Sequence, residues 1–296
     1  MPAAVAMPQD PATEIKTMKL YTHVDRIERR LCALGYTSPE AVVDPEKLAT
    51  IDTLHYFGDE PARRVLALVD QHLAGKSARV LDIGTGYGGI ARLLAHRGQC
   101  HVDALELQSD LSAAGLALTQ RCGLSKRVRH VTGDFLQIKD DDAQLHGSYD
   151  VLMGIMCFMH IGHWPELFAR CHARLEDGGL LYVEDFFLRG VAFSDEEERI
   201  LKKDVYVSEL YTREKLLTLL DRCGFEVIEF QDVTTKWRPY VIERARTYHA
   251  QLNQHAEQDG EAAAASLDHF YSSVATLFEK GNVGGYTLVA RRRAQM

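Results

Sequence analysis

Residues 80–89 read VLDIGTGYGG, an apolar segment that leads directly into a turn rich in glycine. Gly84, Gly86 and Gly89 satisfy the pattern G-x-G-x-x-G, and Glu106 follows at about the 20-residue distance expected of a nucleotide-binding βαβ unit. Such a turn joins a buried strand to a helix whose N-terminus faces an adenosine-bearing cofactor. The glycines alone do not specify the cofactor, so the neighbouring residues have to distinguish the candidates.

Strand-like and helix-like patterns alternate on both sides of this turn. Apolar runs predict strands at residues 78–84, 100–107, 127–134, 149–156, 180–186, 225–233 and 285–292. Amphipathic patterns that end in glycine predict helices at residues 60–75, 89–98, 109–123, 164–179 and 213–224. Strands separated by helices favour an α/β fold with a mostly parallel sheet and right-handed crossovers.

The alternation also divides the chain into predicted regions. We expect a disordered tail at residues 1–16, an N-terminal helical lid at 17–59, a Rossmann-like core at 60–235, a helical insertion at 236–283 and the final strand at 284–296. Within the insertion, residues 236–258 and 266–281 read as helices joined by the low-complexity stretch EAAAA. We expect the lid and the insertion to cap the carboxyl edge of the sheet, where open α/β sheets bind ligands.

The composition limits the kind of partner and the compartment. The 296 residues carry a formal net charge of −8, which disfavours a nucleic-acid partner. Six cysteines are scattered without a C-x-x-C pair, so we expect free thiols and neither disulfides nor a metal site. No apolar run approaches the roughly 18 residues of a membrane span. Residues 1–13 also lack the basic and apolar parts of a signal peptide, which predicts a cytoplasmic protein.

Acidic residues at three strand ends distinguish between the candidate cofactors. Asp82 lies two residues before Gly84, where a dinucleotide would place its negatively charged pyrophosphate. S-adenosylmethionine presents an ammonium and a sulfonium there instead, so a nearby carboxylate suits it. Glu106 can accept hydrogen bonds from both ribose hydroxyls. Asp134 can bind the adenine amino group, with Phe135 as an apolar wall, so the whole set favours S-adenosylmethionine.

On these motifs the sequence resembles the class I S-adenosylmethionine-dependent methyltransferases. VLDIGTGYGG is similar to their first motif, ALEL (104–107) to their second-strand acid, and GDF (133–135) to their adenine loop. YDVLMGIMCFMHI (149–161) and LFARCHARLEDGGLLYVED (167–185) resemble their fourth and fifth strand segments. The resemblance covers residues 60–233 and the final strand, and it implies a seven-stranded sheet whose last strand is antiparallel. We accordingly assign the cofactor site to Asp82, Gly84, Gly86, Glu106, Leu107, Asp134, Phe135 and Ile155.

Two segments that contain histidine are candidates for the acceptor side. GIMCFMHIGHW (154–164) lacks the Asn- or Asp-Pro-Pro-aromatic motif of nucleic-acid amino methyltransferases, and its His160 resembles a histidine of the phosphoethanolamine and sarcosine/dimethylglycine methyltransferases. We predict that His160 acts as a general base or orients the acceptor, although a histidine beside a helix start can also be structural. IDTLHYFG (51–58) resembles a segment of that group whose aromatic hydroxyl closes over the methionine end of the cofactor. Tyr56 is thus a catalytic and cofactor-binding candidate and His55 a substrate-binding one, unless the segment is a core aromatic cluster.

Residues of the cap and of the fifth strand are further candidates for binding the acceptor. Tyr21, Trp237 and Tyr240 could present aromatic faces to a cationic product. Asp185, at the tip of the fifth strand, could bind an acceptor ammonium, although a structural role fits it equally. Three bases could instead hold an acceptor carboxylate or phosphate, with a solvated helix face as the alternative: Lys236, Arg238 and Arg244.

Together these observations predict an S-adenosylmethionine-dependent methyltransferase that acts on a small-molecule amine. The resemblance suggests an acceptor like glycine, sarcosine, dimethylglycine or phosphoethanolamine. Methyl transfer to sulfur, oxygen or carbon of another metabolite remains an alternative, because the donor site is shared by all of these reactions. A nicotinamide-dependent oxidoreductase is a further alternative that Asp82 disfavours. A protein-modifying enzyme, a silent partner subunit and a homodimer also stay open.

Overall fold

The computed structural model describes residues 24–73, 76–138, 145, 147–190 and 192–294. The tail at residues 1–16 and the substrate candidate Tyr21 lie outside these described residues. The described strands are β1 (Ala78–Ile83), β2 (Cys100–Glu106), β3 (Val128–Thr132), β4 (Tyr149–Ile155), β5 (Leu175–Leu188), β6 (Phe225–Asp232) and β7 (Val283–Arg292).

The seven strands form one sheet in the order β3-β2-β1-β4-β5-β7-β6. The first five strands pair in parallel, whereas β7 lies antiparallel between β5 and β6. The predicted seven-stranded, mostly parallel α/β sheet with an antiparallel last strand is therefore confirmed. The strand order reverses between β1 and β4, and a reversal of this kind opens a crevice at the carboxyl ends of the strands.

Eleven α-helices are present in the described part of the chain. The lid and the first half of the core contain α1 (Arg26–Ala33), α2 (Pro45–Asp52), α3 (Glu60–Leu73), α4 (Gly89–Arg97) and α5 (Ser109–Arg121). The second half contains α6 (Trp164–Arg174), α7 (Asp195–Lys203), α8 (Arg213–Arg222), α9 (Thr234–Ala250), α10 (Leu252–Asp259) and α11 (Glu261–Lys280). None of them is both long and apolar enough to cross a membrane.

Helices cover both faces of the sheet because the central strands are apolar on both sides. Leu81 of β1 packs on the face covered by α6 and α8, and Val80 packs on the face covered by α3 and α4. This burial on both faces is the pattern expected of parallel strands. It leaves the ends of the strands, rather than their faces, available for a site.

The insertion packs onto the lid and the end of β5. Trp237 of α9 and Phe278 of α11 share an apolar cluster with Phe186 of β5 and Tyr56, which follows α2. The rings of Trp237 and Tyr56 are nearly perpendicular, with their centroids 4.9 Å apart. The lid and the insertion therefore close over the carboxyl edge of the sheet together.

Three predicted helix boundaries were wrong. The single helix expected at residues 236–258 is two helices, α9 and α10, which separate at Gln251. The helix expected at residues 164–179 ends at Arg174, because the fully buried Leu175 pairs with Tyr149 and begins β5. Gly178, with a φ of +77°, turns the chain within an irregular strand start. EAAAA is also not a linker, since α11 begins at Glu261 and the break lies at Gly260, whose φ is +92°.

Candidate active site

Two adjoining cavities lie at the carboxyl ends of β1, β2 and β4, and both are lined by Gly84 and His160. The larger encloses about 760 Å³ of empty space and the smaller about 550 Å³, both counted out to the open mouth. Residues of the lid, the insertion and the segment after β4 line the larger cavity. The smaller cavity lies at the ends of β2 and β3.

Glycine is required at two points of the turn after β1. Gly84 and Gly86 have φ angles of +72° and +59°, in the left-handed region that side chains disfavour. A Cβ on Gly84 would lie 2.2 Å from Sγ of Cys157, so a side chain there would displace the segment after β4. The turn thus brings bare backbone to the wall of both cavities.

The three predicted acids lie around this turn. Asp82 lines the larger cavity and accepts a 2.5 Å hydrogen bond from the hydroxyl of Thr85. Burial raises the pKa of Asp82 to about 7. Glu106 and Asp134 line the smaller cavity, where Asp134 Oδ1 also accepts a 2.8 Å hydrogen bond from the amide of Leu136.

The arrangement of the cofactor candidates fits S-adenosylmethionine. Glu106, Leu107, Asp134 and Phe135 surround the smaller cavity and offer acceptors and an apolar wall to an adenosine. The larger cavity, which shares Gly84 and His160 with the smaller one, is lined by Tyr56, Asp82, Gly84, Gly86 and Ile155 and offers a carboxylate and bare backbone to the rest of such a cofactor. Three buried polar atoms without a hydrogen-bond partner among the described residues belong to residues of the larger cavity: Asp52 Oδ1, His55 Nε2 and Arg244 Nε.

His160 lies where the two cavities meet, at the end of a 3₁₀ helix (Phe158–His160). Its Nδ1 is 3.1 Å from the carbonyl oxygen of Tyr206. Because a carbonyl only accepts, Nδ1 carries the proton and Nε2 keeps a lone pair. Burial lowers the pKa of His160, which favours this neutral form. His160 therefore presents a basic nitrogen.

Backbone strain surrounds His160. Met156 after β4 and Tyr206 both have left-handed backbone angles, with φ of +54° and +57°. Each such conformation costs of order 1–3 kcal/mol in a non-glycine residue and is typical of functional sites. The first redirects the chain into the 3₁₀ helix, and the second belongs to the residue whose carbonyl orients the imidazole.

Asp185 does not line the described cavities. It instead binds the backbone of the 3₁₀ helix that carries His160. It is fully buried and accepts hydrogen bonds from the amides of Met159, at 3.1 Å, and Phe186, at 2.7 Å. Burial raises the pKa of Asp185 to about 7. The structure thus places this substrate candidate under the 3₁₀ helix.

His55 and Tyr56 line the larger cavity as a neighbouring pair. His55 donates from Nδ1 to the carbonyl oxygen of Tyr56 over 3.0 Å, so its Nε2 also keeps a lone pair. Burial lowers the pKa of His55 to about 4 and raises that of the Tyr56 phenol. Both side chains are neutral at physiological pH.

Of the three candidate bases, only Arg244 lines the larger cavity. Its guanidinium carbon lies 4.7 Å from the ring centroid of Tyr56, 5.6 Å from Tyr240 and 4.4 Å from Tyr271. These aromatic faces therefore contact the guanidinium of Arg244, which is a cation of the protein and not of a product. Lys236 instead pairs with Glu60, and Arg238 donates to a backbone carbonyl of α11.

Trp237 and Tyr240 pack against Tyr56 and do not line the two cavities.

Sequence reasoning missed an apolar wall and one acid of the larger cavity. The wall consists of Met156, Met159, Phe186, Val205 and Phe270, and the acid is Asp52. Only Asp52 left a signal, since it lies three residues before His55 in the quoted segment 51–58.

The sheet order and the acids around the glycine turn define a class I S-adenosylmethionine-dependent methyltransferase. The chain belongs to the methyltransferase domain family, whose model matches residues 54–230. Curated relatives include a glycine/sarcosine/dimethylglycine N-methyltransferase of Actinopolyspora halophila, 28% identical over 55% of this chain and 29% of the relative. A sterol 24-C-methyltransferase of Gibberella zeae is 24% identical over 52% of this chain and 41% of the relative. The chain thus spans less than half the length of these two curated relatives.

Solved structures share the fold at low sequence identity. Phosphoethanolamine N-methyltransferase 2 of Haemonchus contortus, solved with S-adenosyl-L-methionine, has a TM-score of 0.76 at 17% identity and covers 99% of this chain and 62% of that one. A putative sarcosine dimethylglycine methyltransferase of Galdieria sulphuraria has a TM-score of 0.67 at 17% identity and covers 83% and 94%. Identities this low support the fold alone.

Proposed function

We propose that the protein transfers a methyl group from S-adenosylmethionine to a small-molecule amine that carries a carboxylate or a phosphate, like sarcosine or phosphoethanolamine. One observation carries the proposal: Arg244 and the neutral His160 line the same cavity beside the glycine turn. A guanidinium binds carboxylates and phosphates, and a neutral imidazole accepts a proton. The pair matches an acceptor with an anionic end and an amino group.

The residues of the cavity have separate roles in this reaction. When bound, S-adenosylmethionine supplies a methyl group on a positively charged sulfur. His160 Nε2 takes the proton that the amine nitrogen loses, and Arg244 holds the anionic end so that the nitrogen faces the donor. The carboxylate of Asp82 stabilises the positive charge of the donor. The apolar wall excludes water, which strengthens these electrostatic interactions.

Transfer to carbon is the second candidate. Five apolar side chains form one wall of the larger cavity, and sterol 24-C-methyltransferases are among the curated relatives. An apolar acceptor would use that wall and leave Arg244 without a ligand. The guanidinium in the cavity therefore favours the anionic amine.

We retain the expectation of a cytoplasmic enzyme, which its composition supports.

A screen with matched acceptors tests the proposal. Purified protein is incubated with methyl-labelled S-adenosylmethionine and with pairs that differ only in the anionic group, such as sarcosine and its amide or phosphoethanolamine and ethanolamine. We expect label in the anionic member of a pair, located on nitrogen by mass spectrometry. A sterol and a thioether are included as further acceptors. Label on one of these alone would replace the amine proposal, and failure of the protein to bind S-adenosylmethionine would end it.

A further inference from the structure

A fully buried ion pair lies beside the larger cavity and has no role in the reaction described so far. Asp52, the last residue of α2, is 2% exposed, and Arg92 of α4 is 1% exposed. Oδ2 of Asp52 accepts a short hydrogen bond from Nη2 of Arg92. Nη1 of Arg92 donates to the carbonyl of Gly115 at 3.1 Å and to the hydroxyl of Thr119 at 3.0 Å. The guanidinium is thus anchored on α5 and holds Asp52 in place.

The second oxygen of Asp52 is unsatisfied. Oδ1 is buried and has no hydrogen-bond partner among the described residues. It lies beside Gly89, where a Cβ would approach it to 2.7 Å. Asp52, Gly86 and Gly89 line the same cavity. Buried carboxylate oxygens are normally hydrogen-bonded, so this atom is available to accept a hydrogen bond from a ligand in the cavity.

We infer that Asp52 Oδ1 accepts a hydrogen bond from the α-ammonium of S-adenosylmethionine, with Arg92 as the positioning residue. An ammonium is the donor of the methionyl group, whereas its carboxylate would be repelled by Asp52. Asp52 lies close to Gly89, which is the first residue of the helix after the glycine turn. We therefore assign Asp52 to the donor site and not to the acceptor site. The inference rests on the proposed function, because it requires S-adenosylmethionine in the cavity.

The chemistry also explains why α2 belongs to the site. Asp52 reaches the larger cavity from the lid, whereas Asp82 reaches it from the sheet. A bound ammonium would therefore connect α2 to the core through a charge-assisted hydrogen bond.

Calorimetry with two ligands tests the inference. S-adenosylhomocysteine and its analogue without the α-amino group are titrated into the full chain and into Asp52→Asn. We expect the unmodified protein to prefer S-adenosylhomocysteine by about tenfold to 100-fold and the variant to lose that preference. An unchanged preference in the variant overturns the inference. If the unmodified protein binds neither ligand, the proposed function itself fails.

A control and a second measurement separate this role from a structural one. Asp44→Ala removes the exposed N-cap of the same helix, whose side chain accepts from the amide of Glu46 at 2.9 Å. This control should weaken both ligands equally. Should Asp52→Asn fail to fold, a crystal structure of the unmodified protein with S-adenosylhomocysteine decides. A separation of about 3 Å between the ligand nitrogen and Asp52 Oδ1 supports the inference, and one beyond hydrogen-bond distance overturns it.

Discussion

Glu106 Oε2 accepts a 2.8 Å hydrogen bond from the backbone amide of Gly86, and Oε1 accepts a 2.9 Å bond from the amide of Gln108. One carboxylate thereby joins the end of β2 to the glycine turn after β1. Each oxygen retains a further lone pair, which is available to a ribose hydroxyl. The same residue builds the turn and faces the smaller cavity.

Removal of this carboxylate should weaken donor binding. Glu106→Ala loses both charged acceptors and frees the amide of Gly86, so we expect the dissociation constant for S-adenosylmethionine to rise at least about 100-fold. Calorimetry measures the change. The exposed Glu226→Ala on β6 is the matched control and should leave the constant unchanged. Equal affinities for the two variants would remove Glu106 from the site.

His160 should govern turnover rather than donor affinity. His160→Ala removes the proposed base, and a fall in kcat of about 100-fold to 10,000-fold is expected at a nearly constant dissociation constant for S-adenosylhomocysteine. Burial lowers the pKa of His160, so its imidazole is protonated only at a pH below the usual histidine range. We therefore expect kcat of the unmodified enzyme to fall only at such a pH. The exposed His163→Ala is the control. A kcat that His160→Ala leaves intact contradicts the proposed role.

Donor affinity should depend on pH through Asp82. In the absence of ligand its pKa is about 7, so the carboxyl is protonated below that pH and cannot stabilise a positively charged ligand. We expect the affinity for S-adenosylmethionine to be about tenfold weaker at about pH 6 than at about pH 8. Calorimetry at both values measures it. The Asp82→Asn variant should bind S-adenosylmethionine weakly and with the same affinity at both pH values. If the variant and the unmodified protein show the same pH dependence, another group causes it.

Arg244 should determine which acceptors are used. Arg244→Gln removes the anion-binding group, so KM for the anionic acceptor should rise about tenfold to 100-fold while donor affinity changes little. Steady-state kinetics give both parameters. Arg238→Gln on the same helix is the matched control, because its side chain bonds to a backbone carbonyl. If the two variants have the same KM, the anionic end of the acceptor binds elsewhere.

Glu184 should affect the pH dependence of stability. It is 7% exposed, and burial raises its pKa from 4.5 to about 7. The folded state therefore binds this proton more tightly than the unfolded state, and the free energy of unfolding falls as the pH rises between these values. The loss is about 1.4 kcal/mol per pKa unit, or roughly 3 kcal/mol. Glu184→Gln should remove that part of the slope in denaturant titrations. An unaltered slope contradicts it.

The sequence by itself determined the sheet, and it placed the acids of the proposed donor site at one edge of that sheet. Apolar runs separated by helices specify a parallel sheet because strands buried on both faces need no alternation. The positions of Asp82, Glu106 and Asp134 were predictable because each lies within two residues of the end of a strand, and parallel strands end at one edge. Local sequence therefore carries the information for these positions.

Only the tertiary structure decided which residues line the proposed acceptor side of the cavity. Nothing local distinguishes Arg244 from Lys236 and Arg238 on the same helix, since the distinction lies in which side chain meets the rings of Tyr56 and Tyr271. Asp185 was expected at a strand tip, yet β5 continues to Leu188, and the amide of Met159 in the 3₁₀ helix donates to Oδ2 of Asp185. These outcomes depend on contacts between residues that are distant in the chain, and the packing of lid and insertion creates such contacts.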